Sequence, residues 1–120
     1  LQKYPEYEQE VKVPEKVWPL RIWYMYDQDV CTLIDVNERE RKVKIKNYTD
    51  KIMFRAFGVM EEPDYNQYIE FLESRCFPES RDKMKLILKD LGLPFYDPIM
   101  IIEKTEGRMA EDDFWIRIER

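Results

Sequence analysis

Between Trp18 and Tyr26 apolar and polar positions alternate, and the segment is rich in aromatic and branched residues, WPLRIWYMY. Leu20, Ile22, Tyr24 and Tyr26 share one side, and Arg21, Trp23 and Met25 share the other, the two-residue period of a strand. Asp27-Gln28-Asp29 reads as a turn, and Cys31 to Val36 as a second strand. In KVKIKNY, Val43 and Ile45 alternate with Lys42, Lys44 and Lys46, which predicts a strand buried on one face. Its three lysines also discourage pairing with a second chain. Ile52 to Phe57 reads as a fourth strand or the start of the next connection, with Gly58 available for a turn of positive φ.

The period then changes. After the start signal Pro63-Asp64, residues Tyr65, Tyr68, Ile69, Leu72 and Cys76 recur at helical spacing. Ser80 is the expected N-cap of a second helix, in which Met84, Ile87, Leu88 and Leu91 repeat the stripe and Gly92 closes it. Asp97-Pro98 predicts a short third helix over 98–106, ended by Gly107. Phe114, Ile116 and Ile118 oppose Trp115 and Arg117 in a closing strand over 113–119. The expected fold class is α+β. An N-terminal antiparallel β-meander (18–57) precedes a helical part (63–107) built on an αα hairpin, followed by the last strand. Residues 1–17 read as an arm that docks through Tyr4 and Tyr7 or stays mobile.

Composition narrows the chemistry. The 120 residues hold no histidine, so Ser-His and Cys-His couples and imidazole metal ligands are excluded. Three isolated glycines make neither GxGxxG nor GxxxxGK[ST], so no phosphate-cradling loop is present and no cofactor is expected. The net charge of −5 argues against a broad footprint for nucleic acid or anionic lipid. Cys31 and Cys76 stand far apart without CxxC spacing, no apolar run approaches the roughly 20 residues of a membrane span, and the start shows no signal pattern. A reduced, cytoplasmic protein with a protein partner is the expectation, and its oligomeric state is open.

Carboxylates cluster at Glu61-Glu62 and Glu111-Asp112-Asp113, the places to look for Mg²⁺, but neighbours on a strand point to opposite faces. A charged turn is the simpler reading. Pro63-Asp64 lacks the acidic-x-Lys strand that a restriction-type nuclease needs. The expected hairpin also has the size of a helix-turn-helix, and residues 80–91 would offer Arg81, Lys85 and Lys89 to a major groove. Glu70, Glu73, Glu79, Asp82 and Asp90 dilute that potential. Trp23 and Met25, opposite the Leu20-Ile22-Tyr24 face, are the aromatic and thioether candidates for an open interaction surface.

Residues 75–116 carry the spaced pattern Arg75-x-x-Pro78-x-Ser80-Arg81, Leu88-x-x-Leu91-Gly92-Leu93 and Gly107-x-x-x-x-Asp112-x-Phe114-Trp115-Ile116. It resembles the segment that precedes the kinase domain in bacterial HipA-like proteins, and is similar to the tail of small proteins from gut Firmicutes and their integrative elements. It departs at Arg108-Met109-Ala110, where that family shows Leu-Ser-Leu, so no catalytic role is carried over. The resemblance implies a reusable helical module of a bacterial cytosolic protein, on mobile elements in part. On the residues alone, Arg75 and Arg81 bracket the hairpin turn, where they are expected to bond helix-end carbonyls and to pair with Glu111 or Asp112, with Trp115 covering the hairpin. The functional expectation is a non-enzymatic interaction or regulatory module using Trp23, Met25, Arg75, Arg81, Asp112 and Trp115. A DNA-binding regulator is the alternative, and a metal-dependent enzyme at Glu111 to Asp113 the third.

Overall fold

A computed structural model describes residues 13–120. Strands β1 (Leu20–Tyr26), β2 (Asp29–Asn37), β3 (Lys42–Asn47) and β4 (Phe114–Glu119) form one antiparallel sheet in the order β3-β2-β1-β4. Helices α1 (Tyr65–Ser74), α2 (Met84–Leu91) and α3 (Pro98–Thr105) lie between β3 and β4 in the chain. The architecture is α+β, as the periodicity predicts. The docking of Tyr4 and Tyr7 lies outside the described residues.

The meander is short-range and the closing strand is not. A turn at Asp27, whose φ is 52°, joins β1 to β2, and Arg41 at φ 56° turns β2 into β3. β4 returns across almost the whole chain to pair with β1, placing Tyr24 opposite Ile116 and Trp23 opposite Arg117. The pairing makes β1 a central strand. Between Tyr24 and Met25 the β1–β2 register slips, and Cys31 is the extra residue of the bulge.

One face of the sheet packs under the helices, joining Leu20, Ile22, Tyr24, Ile34 and Val36 to Tyr68, Phe71, Leu72, Ile99 and Ile102. The other face is closed as well. Trp23, Met25, Val30, Leu33 and Trp115 form a second buried cluster, against which Val13 and Tyr48 pack. The expectation of an open face at Trp23 and Met25 is corrected, since each is 1 % exposed. Charge is absorbed there too: Arg21, buried opposite Asp35, donates two hydrogen bonds of 2.7 and 3.0 Å to its carboxylate. Trp23 Nε1 donates to Glu119 at 3.0 Å.

Ile52 to Phe57, expected as a fourth strand or the start of the next connection, belongs to a connection that holds a 3₁₀ turn at Ile52–Phe54. α1 starts where Pro63-Asp64 signals. Asp64 accepts from the Gln67 N–H while the Gln67 side chain accepts from the Asp64 N–H, each at 2.8 Å, a reciprocal capping box. α3 is capped by Asp97, which accepts from the Ile99 N–H, with Pro98 at the first helical position. α2 differs from expectation. It begins at Met84, not after Ser80, because Lys83 takes a left-handed φ of 61° and breaks the helical path. None of its residues is fully buried and it packs against no other element extensively, so residues 64–91 do not form a closed αα hairpin.

Candidate functional site

Two of the six expected interaction residues, Arg75 and Asp112, meet beside the turn that follows α1. Arg75, at the C-cap of α1, is 7 % exposed and uses four donor contacts. Nε donates to the Gly107 carbonyl at 3.0 Å, Nη1 and Nη2 to the two Asp112 oxygens at 2.9 and 3.1 Å, and Nη2 also to the Phe114 carbonyl at 3.0 Å. The guanidinium lies 5.8 Å from the Tyr24 ring and 6.0 Å from that of Phe114, which stack on each other. This is the bidentate, charge-assisted geometry in which Arg binds most strongly, and it engages four of the five N–H groups of Arg75. The brace ties the end of α1 to the start of β4.

Electrostatics follow the geometry. Asp112 is held below the ordinary carboxylate value, chiefly by its hydrogen bonds from Arg75 and further by the Phe114 N–H, against a smaller cost of burial. Burial pushes Tyr24 up to about 12, an effect the neighbouring Arg75 moderates. Gly107 closes the arrangement. Its φ of 62° is a backbone that favours glycine, and a Cβ there would stand 3.1 Å from the Ile116 side chain, which would have to give by a few tenths of an ångström. The turn of positive φ begins one residue earlier than expected, at Glu106, the C-cap of α3.

Arg81 does not join the brace. It is exposed and stacks 5.8 Å over the Phe77 ring. Arg108, which the sequence reading passed over, sits 5.0 Å over Trp115 and pairs with Glu106 at 2.9 Å in the open. Between them lies a cavity of about 380 Å³ with Phe77, Pro78, Ile101 and Met109 in its wall and Arg81 and Arg108 along it. Trp115 does not cover the hairpin. It faces the second cluster and donates from Nε1 to the Asp27 carbonyl at 2.7 Å.

The remaining candidates are apart from this cavity. Lys85 and Lys89 are exposed one turn apart on α2, but Asp82 and Asp90 flank them and α1 does not brace α2 as a tandem partner would. Glu61, Glu62, Glu111 and Asp113 are exposed, and among the described residues no three acidic or cysteine side chains converge to hold a metal ion. Cys31 and Cys76 are both free thiols. Burial raises Cys31 to about 11 and raises Cys76 as well, so neither is an activated nucleophile. Among the described residues no helix is long and apolar enough to cross a membrane. Compared with family models, curated proteins and solved structures, the chain matches none.

Proposed function

We propose that the protein is a non-enzymatic interaction module that docks a partner protein at the cavity between the turn after α1 and the loop after α3. One observation carries this reading: an apolar wall of Phe77, Pro78, Ile101 and Met109 sits beside two arginines held over aromatic rings, while the third, Arg75, is consumed by internal bonds. Arg and aromatic groups around a pocket are the composition of interface hot spots. The matching occupant is a partner segment that presents a large apolar side chain next to Asp or Glu, placed to meet Arg81 and Arg108. The likeness of residues 75–116 to a reusable module of cytosolic bacterial proteins agrees with such a role.

Selection of a displayed random-peptide library against the protein tests it. The expected result is enrichment of peptides pairing a large apolar residue with a carboxylate, whose affinity falls about tenfold or more in an Arg81→Glu/Arg108→Glu variant. No enrichment, or binding indifferent to that variant, overturns the reading. Salt-sensitive duplex binding that Lys85→Glu/Lys89→Glu abolishes would replace it with the DNA-binding alternative.

A further inference from the structure

Strand β3 is one edge of the sheet, with β2 on one side and, among the described residues, no strand on the other. Its residues alternate strictly. Lys42, Lys44 and Lys46 are exposed on one face, whereas Val43 and Ile45 are half-buried on the other and pack against the main core cluster. Residues two apart on a strand are separated by about 6.8 Å, so the lysines form an evenly spaced row along the edge.

The ladder decides which backbone groups stay open. In an antiparallel pair the bonded positions alternate, and the Tyr48 N–H donates to the Cys31 carbonyl at 2.8 Å. Counting back by two, Lys46, Lys44 and Lys42 direct their backbone groups to Leu33, Asp35 and Asn37 of β2. Val43 and Ile45 then direct their N–H and C=O groups outward, where no loop or helix backbone bonds them among the described residues.

The charge on this edge is local and little compensated. Lys44 Nζ lies 4.7 Å over the Trp18 ring and Lys46 Nζ 5.2 Å over that of Tyr48. Asp35, opposite Lys44, gives both carboxylate oxygens to Arg21. Lys42 meets Glu40 at 3.2 Å in the open, where an ion pair weighs little. Residues 38–47 carry five cations and two carboxylates in a chain whose net charge is −5. An open edge is a template for another strand, and like charges set side by side oppose pairing. The lysine row therefore turns β3 against a second copy of itself and towards a strand of opposite charge.

We propose that β3 docks an extended segment of a partner protein in which Asp or Glu alternates with aliphatic residues. The segment's backbone bonds the outward groups of Val43 and Ile45, its carboxylates line up with Lys42, Lys44 and Lys46, and its aliphatic side chains lie beside Val43 and Ile45. Main-chain bonds supply affinity and the alternation supplies register. The edge shares no residue with the arginine-lined cavity, so its success or failure leaves that reading untouched.

Fluorescence polarisation at about 50 mM salt with the labelled peptide acetyl-Glu-Val-Glu-Val-Glu-Val-amide, together with amide hydrogen exchange, tests it. The peptide is expected to bind, and the block isomer Glu-Glu-Glu-Val-Val-Val, of equal charge and composition, to bind about tenfold more weakly or worse. Exchange is expected to slow at the Val43 and Ile45 N–H groups when the alternating peptide is present. Lys42→Glu/Lys44→Glu/Lys46→Glu is expected to weaken binding about tenfold or more and to accept Lys-Val-Lys-Val-Lys-Val instead. Arg81→Glu/Arg108→Glu is expected to leave binding unchanged. No binding, equal binding of the block isomer, or unaltered exchange at Val43 and Ile45 overturns the proposal. Loss of binding in the arginine variant would assign the peptide to the cavity, tighter binding of an oligothymidylate would assign the row to nucleic acid, and a dimer abolished by the lysine variant would assign it to a second copy; each overturns it as well.

Discussion

At the scale of single residues, Arg75 and Asp112 show how a charged pair earns its place in a fold. The guanidinium is almost wholly withdrawn from water, and each of its bonded donors meets a carboxylate or a carbonyl, so the cost of burial is offset. The pair also has a pH signature. The carboxyl of Asp112 titrates lower in the folded chain than its ordinary 3.8, so the native state favours the ionised form. That contribution is complete above the ordinary value and is lost as pH falls through the lower, folded one. Asp112→Asn is therefore expected to cost about 1 to 2 kcal/mol near neutrality and to converge with the parent in strong acid. Urea titrations at several pH values check this, and a constant gap down to about pH 2 would show that Asp112 contributes only packing.

Among the elements, α1 and α2 have opposite sources of support. Three residues of α1, Tyr68, Phe71 and Leu72, are buried against the sheet, and its start is fixed by the reciprocal Asp64–Gln67 bonds. α2 has no buried residue and no side-chain cap, and is closed only at Gly92, where the N–H groups of Gly92 and Leu93 reach back to Lys89 and Leu88. Eight residues are too few to hold a helix by propensity alone. Amide hydrogen exchange is expected to be at least about tenfold faster at Leu88 and Leu91 than at Tyr68 and Leu72. Equal protection would mean that α2 is packed far better than its exposure indicates. The stripe Met84, Ile87, Leu88 and Leu91 was legible in the sequence, but periodicity reports which side is apolar, not whether anything covers it.

For the whole molecule, the decisive fact is that the sheet is covered on both faces. Alternation along β1 pointed to one apolar face and one mixed face carrying Arg21, Trp23 and Met25. In the fold β1 has β2 and β4 as neighbours, and the residues from both converge on Trp23 to make a second cluster with Val30, Leu33 and Trp115. Trp23→Ala is expected to cost about 3 to 5 kcal/mol, the range for removing a buried aromatic side chain. Denaturant unfolding measures it directly. A loss below about 1 kcal/mol would be the behaviour of a surface residue and would return Trp23 to the list of interaction candidates.

The α+β class, the order of the elements, the starts of α1 and α3 at Asp64 and Asp97 and the lysine-lined β3 were readable from local pattern, because caps, turns and the periods of strand and helix depend on near neighbours in the chain. Local pattern also suggested that Arg75 and Arg81 pair with Asp112 or Glu111, and the fold joins only Arg75 and Asp112 of these. What local pattern does not carry is which distant segments meet. The pairing of β4 with β1 buried Trp23 and turned Trp115 away from the helices, and the left-handed Lys83 cut α2 short. Such juxtapositions are settled by the packing of the assembled sheet and helices, where contacts between residues far apart in sequence outweigh the preferences of any one segment.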